Sequence, residues 1–99
     1  MPLLHIAFQE GFTGEAVTVR INGNEAYRKE QMKTKFQLGY AGSFEINVEE
    51  GPVKVEVLLP AQGLTETFEV QVSSSTFVGV SLDQDKIVHR ISAQPFGYV

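Results

Sequence analysis

GSFEINVEEGPVKVEVLLPAQGLTETFEVQV, residues 42–72, is the stretch that decides the fold, because its apolar positions recur at every second residue through three successive segments. Phe44, Ile46 and Val48 alternate with Ser43, Glu45 and Asn47, and Val53, Val55, Val57 and Leu59 alternate with Lys54, Glu56 and Leu58. A turn centred on Glu50-Gly51 is expected to set Val48 opposite Val53, Ile46 opposite Val55 and Phe44 opposite Val57. The next turn, Pro60 to Gly63, sets Leu59 opposite Leu64, Val55 opposite Phe68 and Val53 opposite Val70. One face of this meander is apolar throughout, with Glu66 as the exception. Three strands cannot cover their own apolar face, so the rest of the chain has to supply a second layer.

Working outward, Leu4, Ile6 and Phe8 form one alternating strand and Val17, Val19 and Ile21 another. The loop between them, Glu10 to Ala16, fits either a loose hairpin or a crossing between sheets. Asn22-Gly23 is the strongest short hairpin signal in the chain. The segment Glu25 to Lys35 mixes good helix formers with a broken apolar stripe; it reads as a strand, a turn around Glu30 and Gln31, and a further strand through Phe36, Leu38 and Tyr40, with one helical turn as the alternative. Beyond Val72, a Ser73-Ser74-Ser75 turn leads to a strand carrying Val78, Val80 and Leu82. After the turn Asp83 to Lys86, the return strand sets Leu82 opposite Ile87, Val80 opposite His89 and Val78 opposite Ile91. His89 thus interrupts an apolar face, as Glu66 does. Seven to nine short strands with regular turn signals predict an all-β fold: an antiparallel Greek-key β-sandwich, immunoglobulin- or prealbumin-like, with a small barrel as the alternative.

The chain has 99 residues, which suits a single domain spanning 1–99 with one core. It contains no cysteine, which removes disulfides, thiolate metal sites and cysteine nucleophiles together. No apolar run approaches the roughly 20 residues of a spanning helix, and no signal-like segment is evident, so a soluble, cytoplasmic protein without a membrane partner is expected. A net charge of −4 disfavours nucleic acid as a partner. The charge is uneven: Arg28, Lys29, Lys33 and Lys35 against Glu25 and Glu30 leave one segment at +2 and the remainder at −6. Lysines of this kind blunt an edge strand against aggregation, and they also suit docking of an acidic partner.

Candidate chemistry is sparse. Glu66 and His89 both fall at inward positions, and a carboxylate beside an imidazole can work as an acid–base pair, or simply as a hydrogen-bonded structural pair. His5 and His89 are the only histidines, with no ligand spacing between them, and Asp83 and Asp85 lack the rest of a calcium loop; neither a metal nor any other cofactor is expected. On the outward face, Lys54 is expected to face Glu69, and Glu45 to lie unfavourably beside Glu56. Phe12, Phe77, Phe96 and Tyr98 are not placed by the inward register, and a cluster of them would mark a partner surface.

The segments Val17-Thr-Val-Arg-Ile-Asn-Gly-Asn24, Gly42-Ser-Phe-Glu-Ile-Asn-Val-Glu-Glu-Gly51 and Val53-Lys-Val-Glu-Val57 resemble the small prealbumin-like sandwiches of the carboxypeptidase-regulatory and PEGA type. That resemblance covers about half the chain and implies a non-catalytic accessory module. The expected function is accordingly binding of a protein partner, or homo-oligomerisation, through the tail (Phe96, Tyr98) or the basic edge segment (Arg28, Lys29, Lys33, Lys35). A second resemblance, to transthyretin-like hydrolases through Leu4-His5 and the aromatic tail, implies instead a small hydrolase built on His5, Glu66 and His89. It requires those three side chains to converge in one cleft.

Overall fold

The computed structural model describes residues 2–35 and 39–94. Alternation in the sequence becomes eight strands: β1 (Leu3–Phe8), β2 (Thr13–Ile21), β3 (Asn24–Lys33), β4 (Gly42–Asn47), β5 (Gly51–Leu59), β6 (Leu64–Val72), β7 (Thr76–Asp83) and β8 (Lys86–Ser92), with a single 3-10 turn at Pro60–Gln62. They form two four-stranded sheets, ordered β4-β1-β7-β8 and β3-β2-β5-β6. The inward side chains of both meet in one core that includes Leu4, Ile6 and Phe8 of β1, Val17 and Val19 of β2, Val53, Val55 and Val57 of β5, and Val78 and Val80 of β7. The protein is an all-β sandwich. Its wiring is a Greek key folded over the two layers: β2 and β3 form a hairpin in one sheet while β4 returns beside β1 in the other.

Tight turns behave as their residues dictate. Asn22 and Gly23 take φ of 51° and 87°, and Gln84 and Asp85 take 46° and 68°, the left-handed pairs that two-residue hairpins need. The β5–β6 register sets Leu59 against Leu64, Val55 against Phe68 and Val53 against Val70. The β7–β8 register sets Leu82 against Ile87, Val80 against His89 and Val78 against Ile91. Both ladders match the sequence expectation residue for residue.

The connection between β4 and β5 does not. Gly42–Asn47 is not the first strand of a meander with β5; it pairs with β1 in the opposite sheet, Ile46 against Leu4 and Phe44 against Ile6. Gly51, at φ 119°, lets the chain arch over the end of the sandwich, with Val48 buried in the arch. Phe44 and Ile46 still face the core, but from the other layer. The expected repulsion between Glu45 and Glu56 therefore does not arise, and Glu45 lies opposite His5 instead. Lys54 does oppose Glu69, although its Nζ lies 3.9 Å from Glu56.

Two further differences have physical causes, and one alternative left open by the sequence is decided. First, β3 runs without a turn through Glu30 and Gln31 and holds no helix; three register shifts against β2 absorb the irregular apolar spacing, and Met32 reaches the core. Lys35 then bridges Tyr40, while Phe36 and Leu38 of the expected further strand lie outside the described residues. Second, β1 and β7 are parallel, so the sandwich is not wholly antiparallel. The open alternative is the loop read as Glu10 to Ala16: it crosses between the sheets, and Thr13 to Ala16 already belong to β2. Thr34 ties that crossing down, its hydroxyl donating to the Gln9 carbonyl at 2.7 Å and accepting the Phe12 N–H at 3.0 Å. Gly11 is obligatory there, at φ 91°, because a Cβ would collide with the Leu82 carbonyl oxygen.

Candidate functional site

β6 and β8 are the edge strands of opposite sheets on the same side of the sandwich. Inward alternation places Glu66 against the buried Val57 in β6, and His89 against the buried Val80 in β8. The gap between the sheets brings the two together. His89 Nδ1 lies 3.2 Å from Glu66 Oε2, and the imidazole stacks on Phe68 with ring centroids 3.8 Å apart and planes 5° from parallel. With a carboxylate oxygen as its partner, Nδ1–H is the donor. Neither side chain is sealed: His89 is 27% exposed and Glu66 34%. The arrangement gives an oriented imidazole backed by a carboxylate, a pairing that general acid–base chemistry can use.

His5 is not part of it. Leu4, Ile6 and Phe8 point into the core, so His5 faces outward from the first sheet. There it stacks on Phe77, centroids 4.3 Å apart, with Nδ1 3.6 Å from Glu45 Oε1. The convergence of His5, Glu66 and His89 that the hydrolase resemblance requires is absent, because alternation along β1 puts His5 on the face opposite to His89. No group of three or more His, Cys, Asp or Glu side chains able to hold a metal occurs among the described residues.

The basic segment is exposed but divided. Arg28, Lys29 and Lys33 lie on β3 and Lys35 just beyond it, all open to solvent. Arg28 opposes Thr18 on the outward face of the second sheet and donates to Glu25 at 2.8 Å. Lys29 opposes the buried Val17, and its Nζ reaches along the sandwich edge towards Gly42 of β4. The four cations thus share one edge without sharing one face. Phe96 and Tyr98 lie outside the described residues. Of the other unplaced aromatics, Phe12 is buried in the core against Phe8, and Phe77 is the partner of His5.

Sequence reasoning missed the opposite side of the sandwich. There Tyr27 of β3 stacks on Phe44 of β4 at 4.6 Å and 5°, and on Phe8 at 5.5 Å. Burial, with the neighbouring Tyr40 adding to it, raises the Tyr27 phenol above its usual value of 10.0. A cavity of about 520 Å³ at one end, between the Asn22–Gly23 turn and the Glu49–Gly51 arch, was equally invisible. Its walls, among them Asn24, Glu25, Ile46 and Glu49, come from segments that only the topology makes neighbours.

Fold and site together define a β-sandwich with a basic edge strand at β3 and a half-exposed imidazole–carboxylate pair in the gap between β6 and β8. No family model, no curated protein and no solved structure matches the chain. No helix among the described residues is long and apolar enough to cross a membrane.

Proposed function

We propose that the chain is a non-catalytic binding module on a prealbumin-like β-sandwich, engaging a protein partner through its basic edge and its aromatic tail. The observation that carries this reading is the exposure of Arg28, Lys29, Lys33 and Lys35 along a single edge strand and its continuation. An edge strand offers unpaired backbone groups, and the cations select an acidic segment to fill them. Phe96 and Tyr98 belong to the same proposal as apolar contacts, and a cytoplasmic setting goes with it. The test is an NMR titration of the labelled protein with a poly-glutamate peptide at near-physiological salt. Amide shifts confined to β3, abolished in a Lys29→Glu/Lys33→Glu/Lys35→Glu variant, are expected. An unchanged spectrum overturns the basic-edge reading.

A second reading, a small hydrolase that works through His89 and Glu66 without His5, rests on the 3.2 Å contact between those two alone. It requires that the protein hydrolyse a p-nitrophenyl ester and that His89→Gln abolish this turnover; a native chain without turnover removes it.

A further inference from the structure

The outermost strands of the two sheets, β3, β4, β6 and β8, are not equally guarded against pairing with another chain. β3 carries three register shifts and the basic residues, β4 is short at six residues, and β8 carries Lys86 and Arg90. β6 has none of these devices. Its ladder with β5 runs unbroken through nine pairs, and it holds no proline, lysine or arginine.

Backbone parity shows what this edge offers. The Asn22 N–H donates to the Lys54 carbonyl at 2.9 Å, and the Lys54 N–H donates to the Asn22 side-chain oxygen at 2.9 Å. Lys54, and with it Glu56 and Leu58, therefore turns its backbone groups towards β2. Val53, Val55, Val57 and Leu59 turn theirs towards β6, where they meet Val70, Phe68, Glu66 and Leu64. Thr65, Thr67, Glu69 and Gln71 consequently direct their N–H and C=O groups to the open edge, and all four residues are exposed.

We propose that β6 is a docking edge for an extended basic segment of a partner protein, which joins the second sheet as a fifth strand. This rests on the binding-module reading but uses a different edge from β3. Charge selects the occupant. The charged side chains of β6 are both acidic, Glu66 inward and Glu69 outward. Glu66 already has His89. Glu69 accepts the neutral Gln71 amide at 3.1 Å, while Lys54 opposite it turns its Nζ to Glu56. A lysine or arginine on the outward face of an added strand can therefore pair with Glu69. The other face of that strand lies beside the half-buried Leu64 and Phe68, so apolar residues there cover what the sandwich leaves half open. A second copy of this chain fits less well. Its β6 would bring four carboxylates to one seam, and its β3, although basic, would offer a ladder broken by register shifts.

Amide exchange and chemical shifts of the labelled full chain, titrated with a blocked heptapeptide alternating lysine and valine, test this. Slowed exchange is expected at the alternate amides of Thr65, Thr67, Glu69 and Gln71, with shifts centred on β6. The same peptide with glutamate in place of lysine should leave β6 unchanged. Thr67→Pro removes a donor that β5 does not use, and Glu69→Lys reverses the selecting charge. Each should abolish the protection with an unchanged circular dichroism spectrum, and two variants guard against one failing to fold. Absence of the alternate protection, equal protection by the glutamate peptide, or protection that survives both variants overturns the docking edge. Because the poly-glutamate titration reads β3, failure at β6 and failure of the basic edge are told apart.

Discussion

The two open sides of the sandwich are closed by the same device with different chemistry. On the β3–β4 side a flat pair, Tyr27 on Phe44, stands between the sheets and is backed by the fully buried Phe8. On the β6–β8 side an equally flat pair, Phe68 on His89, stands in the corresponding gap, but a carboxylate backs it and water reaches both polar groups. One side is therefore an extension of the core. The other is a polar latch that stays responsive to solvent. The gap between two sheets asks only for a planar filler, so a ring that can titrate fits as well as one that cannot.

The largest effect that could break this comparison is loss of the shared ring on the apolar side. Phe8→Ala should cost about 3 to 5 kcal/mol in denaturant unfolding, through both cavity and lost stacking, whereas Phe68→Ala at the half-open side should cost about 1 to 3. Equal losses would mean that both sides are core. The next effect is pH-dependent. Tyr27 is held neutral in the folded chain to a higher pH than in the unfolded one, so its contribution is intact below pH 10.0, the unfolded value, and declines as pH rises above it through the raised folded value. Tyr27→Phe should flatten that alkaline decline. An unaltered decline would show that Tyr27 is not the group responsible. The smallest effect is on the polar side: a double-mutant cycle of Glu66→Gln and His89→Gln should return a coupling of about 0.2 to 1 kcal/mol at neutral pH, as for other half-exposed ion pairs and hydrogen bonds. A coupling several times larger would make the latch a structural anchor.

How much of this was legible in the sequence depends on whether a connection closes a hairpin or arches from one sheet to the other. Where two strands are joined by a tight turn, as at Asn22–Gly23, Pro60–Gly63 and Gln84–Asp85, the partner follows from the turn; at the last two the register follows from alternation, whereas three shifts break it between β2 and β3. The inward placing of Glu66 and His89 came from the same reasoning, and so did each residue's being an exception on an apolar face. Their meeting did not, because β6 and β8 belong to different sheets and nothing local says that those sheets share an edge. For Gly42–Asn47 the alternation was read correctly and the partner was not: Phe44 and Ile46 are satisfied equally by β5 beside them or by β1 across the core.

The sequence by itself determined most of the strands, though not the unbroken run of β3 through Glu30 and Gln31 or the start of β2 at Thr13, and it determined which neighbours pair through tight turns, since period-two alternation and turn stereochemistry act over a few residues. Only the tertiary structure decided which sheet β4 joins, that β1 and β7 run parallel, that His5 faces away from His89, and that Glu66 and His89 touch. Those outcomes depend on how two apolar layers stack and on which connections cross between them. Alternation records only whether a side chain points inward. Which layer it points inward from is settled when the two layers pack.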